Sequence, residues 1–114
     1  MKLYQYPKCS TCRKAIKFLN EKNVDYQSID ITVSPPSKAE LKQMLVAQGD
    51  IKKLFNTSGM QYRELDMKNR LPQMNEDQAL ELLAENGKLI KRPFLISDSV
   101  ALVGYKQEIW QDSV

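Results

Sequence analysis

The chain of 114 residues has no histidine and only two cysteines. Without histidine there can be no Cys–His or Ser–His couple, which removes the commonest routes to an activated nucleophile. Two cysteines without histidine also fall short of the four ligands of a structural zinc site, so no metal and no bound cofactor are expected. No apolar run approaches the ~20 residues needed to cross a bilayer. The opening "MKLYQYPK" turns polar too early for a signal-peptide core. The reading is a cytoplasmic protein without a membrane partner, in a compartment that disfavours a permanent disulfide. A dominant charge is missing too. Seventeen basic and fourteen acidic side chains are well mixed, for a net charge of +3, which leaves no clustered footprint for direct nucleic-acid binding. Lys52-Lys53 and the group from Lys88 to Arg92 read as solvated basic faces.

With 42% hydrophobic and 27% charged residues, the composition is that of one globular domain over residues 1–114, expected to be a monomer. No repeat, low-complexity tract or flexible linker interrupts it. "KLYQY" (Lys2–Tyr6) predicts a first strand ended by Pro7. Cys12, Ala15, Ile16 and Leu19 then fall at helical spacing, predicting a helix over Ser10–Lys22 with Asn23 as its stop. Val24–Ile31 reads as a second strand. After "SPPS", Ser37 and Glu40 form a capping-box pair, Leu41, Met44 and Leu45 give an apolar face, and Gly49 closes the helix. A helix-rich middle follows: a turn around Ile51–Phe55, the loop Asn56–Gly59, a piece through Tyr62 and Leu65, and a helix capped by Asn75 and ended at Asn86-Gly87. Phe94–Ile96 and Val100–Val103 predict a hairpin, and Tyr105–Gln111 a closing helix. The order βαβ, helices, ββα is that of an α/β domain with a mixed sheet.

The chemistry concentrates in "YPKCSTCRKA". A Cys-x-x-Cys that follows a strand and opens a helix sets its first sulfur beside unpaired backbone N–H groups and the positive end of the helix dipole. Lys8, Arg13 and Lys14 add positive charge along the sequence. These surroundings favour a thiolate on Cys9, with Cys12 on the apolar stripe as the thiol that resolves a mixed disulfide. The alternative is that both are small buried residues without a chemical role. Arg92-Pro93 stands before the Phe94 strand, where local rules favour an ordinary trans bond.

Together "YPKCSTCRKA", "FNTSGMQYREL", "LIKRPFLI" and "LVGYKQE" resemble, in order and over nearly the whole chain, the arsenate reductase (ArsC)-like family, which includes the Spx/MgsR-type regulators. The resemblance implies a thioredoxin-like (glutaredoxin-like) fold with a helical subdomain inserted at about 37–86, and a cis bond at Pro93 facing Cys9. It implies a thiol-dependent reductase whose first cysteine attacks arsenate, while the second cysteine of the pair points instead to a thiol or disulfide substrate or a redox partner protein. Cys9 is then the nucleophile, Arg92 an oxyanion ligand, and glutathione with glutaredoxin, or thioredoxin, the electron donor. Two further family arginines correspond to Asn56 and Gly104 here. Each lost charge-assisted contact is worth ~1.5–3 kcal/mol, so arsenate affinity should fall by about two to four decades. Arg13, Arg63 and Lys106 are the cations that could compensate. Likeness to the Spx-type members implies the α subunit of RNA polymerase as the alternative partner, with the cysteine pair as a switch.

Overall fold

The computed structural model describes residues 1–114. A four-stranded mixed sheet in the order β2-β1-β3-β4 forms its centre, from β1 (Lys2–Gln5), β2 (Gln27–Asp30), β3 (Phe94–Ile96) and β4 (Ala101–Val103). β1 runs parallel to β2 and antiparallel to β3, and β3 pairs antiparallel with β4. The helices are α1 (Ser10–Glu21), α2 (Lys38–Gln48), α3 (Met60–Glu64), α4 (Met67–Arg70), α5 (Glu76–Glu85) and α6 (Gln107–Ser113). All of α2 to α5 lies between β2 and β3, as the inserted subdomain requires.

The period of two along each strand divides the core into two layers. Leu3 and its partner Leu95 face α1 and α6, packing with Ala15, Phe18, Leu19 and Trp110. Tyr4 and Phe94, paired in the same register, face the inserted helices and the larger core of Leu41, Met44, Leu54, Phe55, Leu83 and Ile90. Their rings meet edge to face at 5.7 Å. Local signals explain most helix limits. Ser37 with Glu40 and Asn75 with Gln78 form complete capping boxes on α2 and α5. α1 ends in a Schellman motif: Asn23 has φ +54°, its N–H bonds Asn20 and the Val24 N–H bonds Leu19.

The second strand is shorter than the sequence predicts. After the reversal at Asn23, Val24 and Tyr26 pack against the α1–α6 layer, and pairing with β1 begins only at Gln27. The closing helix starts later, at Gln107, because Tyr105 turns inward to pack on Phe18 and Trp110.

A polar clip joins β1 to α2. The Tyr4 hydroxyl donates to Glu40 Oε1 at 2.8 Å, the Ser37 N–H donates to the same oxygen at 3.1 Å, and Lys2 Nζ lies 3.4 Å from Oε2. Burial alone would raise the Glu40 carboxyl, but the Ser37 N–H, the Tyr4 hydroxyl and Lys2 hold it below the usual carboxylate range. A depressed carboxyl contributes stability that is complete above its unfolded value of ~4.3 and is lost as pH falls through the folded value. Glu40→Gln should therefore flatten the acid limb of the stability curve. Urea midpoints between about pH 6 and about pH 3 check this, and parallel limbs for the two proteins would remove the clip's role.

Candidate active site: a cationic thiol cleft

Cys9 is the N-cap of α1, with extended backbone angles (φ −93°, ψ 115°). The chain reaches it from β1 through a tight turn in which the Cys9 N–H bonds the Tyr6 carbonyl at 3.0 Å. Its Sγ accepts the backbone N–H of Cys12 at 3.3 Å, so the thiol itself occupies the capping position normally taken by a side-chain oxygen. Cys9 is half-buried, Cys12 is fully buried on the apolar stripe, and both are free thiols.

The two sulfurs diverge electrostatically. Burial pushes Cys9 up, but the thiol and backbone N–H of Cys12 and the Arg92 guanidinium outweigh it, and the net direction is down. Burial pushes Cys12 up to about 12, reinforced by its hydrogen bond to Cys9 and by the Cys9 charge. Of the two, Cys9 is therefore the thiol that gives up its proton first, and Cys12 the one that keeps it.

Arg92 reaches this position from the segment that leads into β3, the antiparallel neighbour of β1. Its guanidinium stacks on the Tyr6 ring at 5.0 Å, and its bond to Pro93 is cis, as the family resemblance implies and against the trans bond favoured by local rules. In the β3–β4 ladder Pro93 stands opposite Gly104, whose N–H bonds the Pro93 carbonyl at 2.8 Å. Proline has no N–H to return. The Gly104 carbonyl is served instead by the Trp110 indole, Nε1 to O 3.1 Å.

Cys9 opens into a cleft of about 550 Å³ between the insertion and the β4–α6 end. Asn56 and Gly104 both line it. The segment around Phe55 pairs with that around Ile90, with the Asn56 N–H bonding Leu89 at 2.7 Å and the Lys91 N–H bonding Leu54 at 2.8 Å, so the insertion is tied to the approach to Arg92. Four cations, Lys53, Lys91, Arg92 and Lys106, line the cleft, and no carboxylate does. Gly104 has φ +72°, and a Cβ there would stand 2.9 Å from Lys91 Cε. An arginine at 104 is thus opposed by the backbone, whereas the only atoms in its way are the flexible end of Lys91, which runs over that position.

The cations near the cysteines in sequence are not those of the cleft. Lys8, Arg13 and Lys14 are exposed and lie outside its lining, as does Arg63 on α3. Of the compensating cations suggested by sequence, the structure brings only Lys106 to the site. Lys53 and Lys91, read as parts of solvated basic faces, were missed. Their signal was available only as a pairing, since each sits next to the Phe55–Ile90 bridge.

Comparison with known proteins bears on family and fold. The ArsC family model matches residues 4–113. The uncharacterized protein YusI of Bacillus subtilis is 50% identical over 96% of this chain and 94% of its own length. The regulatory protein MgsR of the same organism is 28% identical over 90% of this chain and 80% of its own. Among solved structures, an ArsC family related protein from Bacteroides fragilis superposes with a TM-score of 0.92 at 44% identity, covering 99% of this chain and 96% of that one.

Proposed function

Because this chain belongs to the ArsC family and places a capping thiol of lowered pKa in a cleft lined by cations, we propose that it is a thiol–disulfide oxidoreductase with Cys9 as nucleophile and Cys12 as resolving thiol. The observation that carries this reading is the unequal pair: a half-buried Cys9 whose pKa is lowered, beside a fully buried Cys12 pushed up to about 12.

The Cys9 thiolate attacks one sulfur of the substrate disulfide. A Cys9–substrate S–S bond forms, the substrate S–S bond breaks, and the other half leaves as thiolate. Arg92 and the α1 N-terminus hold the negative charge before attack. Once Cys9 is in a mixed disulfide, it no longer accepts the Cys12 hydrogen bond and carries no charge, so two of the influences that keep Cys12 protonated disappear. Cys12 then loses its proton and attacks Cys9 Sγ, and the second half leaves as a thiol. Two electrons pass from the protein dithiol to the substrate. A glutathione–glutaredoxin couple or thioredoxin would return them.

Titration of Cys9 tests this. The rate of iodoacetamide alkylation should rise with a midpoint below the free-thiol value of ~8.5, and Arg92→Gln should move it upward. A wild-type midpoint at or above the free-thiol value would overturn the nucleophile assignment.

A second reading draws on the likeness to MgsR, a regulatory protein matched over most of both chains. There the same pair would serve as a redox switch controlling binding to the C-terminal domain of the RNA polymerase α subunit. Pulldown with that domain before and after oxidation decides between them, and binding that ignores the redox state ends the second reading.

A further inference from the structure

We propose that the Cys9 cleft takes its disulfide from an extended, acidic peptide segment that docks on the outer edge of β4. The inference rests on the disulfide-exchange reading above and goes on to name its substrate class.

β4 is the last strand of the sheet. The Ser97 N–H bonds the Val100 carbonyl and the Gly104 N–H bonds the Pro93 carbonyl, which fixes the hydrogen-bonded pairs of the β3–β4 ladder at 97/100, 95/102 and 93/104. Ala101 and Val103 therefore direct their backbone groups away from β3. At Ala101 the outward carbonyl is already taken by Gln48 Nε2 at 3.1 Å. At Val103 the outward N–H and C=O have no such partner, and Val103 lines the same cleft as Cys9. A free N–H and C=O on one edge residue form the two-bond pair that an added strand uses.

The rest of the cleft selects what that strand carries. A volume of about 550 Å³ lies within the ~300–1,000 Å³ of sites that hold drug-sized ligands, far more room than one oxyanion requires. Lys53, Lys91 and Lys106 add three exposed charges beyond Arg92, with no carboxylate among the lining residues to oppose an acidic chain. Ile109, 47% exposed, adds an apolar wall beside Tyr105. Edge amide, cations and apolar wall together fit a peptide whose cysteine is flanked by acidic residues.

Eight-residue peptides with one central cysteine, each as its mixed disulfide with 2-nitro-5-thiobenzoate, test this in single-turnover reactions with the full chain. Acidic flanks should react at least about tenfold faster than lysine flanks at low ionic strength, and the ratio should shrink with salt. Lys53→Ala/Lys91→Ala/Lys106→Ala, checked for folding by thermal unfolding, should bring the ratio close to one. N-methylation scanned along the acidic peptide should slow the reaction by about two- to tenfold at one backbone position near the cysteine. Equal rates for the two peptides, a ratio that survives the triple substitution, or indifference to every N-methyl group would each overturn the docking. Ellman's reagent separates this from the parent reading. If it closes a Cys9–Cys12 disulfide while the peptides are indistinguishable, only the docking falls. If no such disulfide closes with any reagent, the exchange reading itself falls.

Discussion

Cys12→Ser is expected to halt exchange halfway, leaving substrate covalently held on Cys9, whereas Cys9→Ser should hold nothing. The asymmetry follows from where the sulfurs sit. Cys9 caps α1 at the floor of the cleft, and Cys12 lies one turn on, fully buried, with its N–H directed at Cys9 Sγ. Substrate therefore meets Cys9 first. Cys12 is pushed up to about 12, by burial before all else, so it does not compete as a nucleophile in the resting protein. It becomes competent only after Cys9 has been consumed. A thiol poised one helical turn away has an effective concentration far above the millimolar thiol that would otherwise resolve the adduct, so release should slow by about three decades or more. Non-reducing mass spectrometry after mixing with a peptide disulfide reads the result directly. An adduct on Cys12→Ser no longer-lived than on the wild-type chain would remove the resolving role. An adduct on Cys9→Ser would reverse the assignment.

Much of this was legible in the residues, for reasons that differ from place to place. The α1 stripe, the capping box at Ser37 and the cap at Asn75 are local signals, legible because the bonds that make them span three or four residues. The limits of β2 were not, because Val24 and Tyr26 favour a strand but are claimed by the α1–α6 layer, a tertiary preference. Two short segments in the middle, α3 and α4, are separated by Asp66 at φ +53°, a reversal that no nearby glycine signals. At the site, Cys9 and Cys12 were legible from spacing, and Arg92 with its cis bond only through family resemblance. Lys53 and Lys91 were invisible, since a lysine in a basic pair reads the same whether it faces bulk water or a cleft. What places them is the Phe55–Ile90 bridge, formed between residues 35 positions apart.

Gly87→Ala is expected to be among the most destabilising single substitutions in the chain, at about 2–4 kcal/mol. Sequence assigns Gly87 to the end of α5, where many residues could serve, but the structure gives another reason for glycine. A Cβ at this position would collide with the Ile31 carbonyl oxygen, come within 2.8 Å of the Ile31 carbonyl carbon and within 3.2 Å of Thr32 Cα. All three obstacles are backbone, so no rotamer change relieves them. Nor can either segment move freely. Ile31 is fully buried and its N–H bonds the Gln5 carbonyl at 2.9 Å, while Gly87 leads into Leu89 and Ile90, both fully buried in the larger core. Displacement would either open the end of the β1–β2 pair or shift the segment that carries Lys91 and Arg92 to the cleft. Gly49→Ala is the matched control: nothing lies within 4 Å of its Cβ, so only its φ of +79° opposes the change, at a cost of about 1–2 kcal/mol. Urea unfolding of both variants measures the difference, and a Gly87→Ala loss no larger than that of Gly49→Ala would show that the contact with Ile31 yields easily. Where the loss is large, residual folded Gly87→Ala should also show a Cys9 alkylation midpoint displaced upward, because the Arg92 guanidinium reaches the thiolate only from the end of that segment.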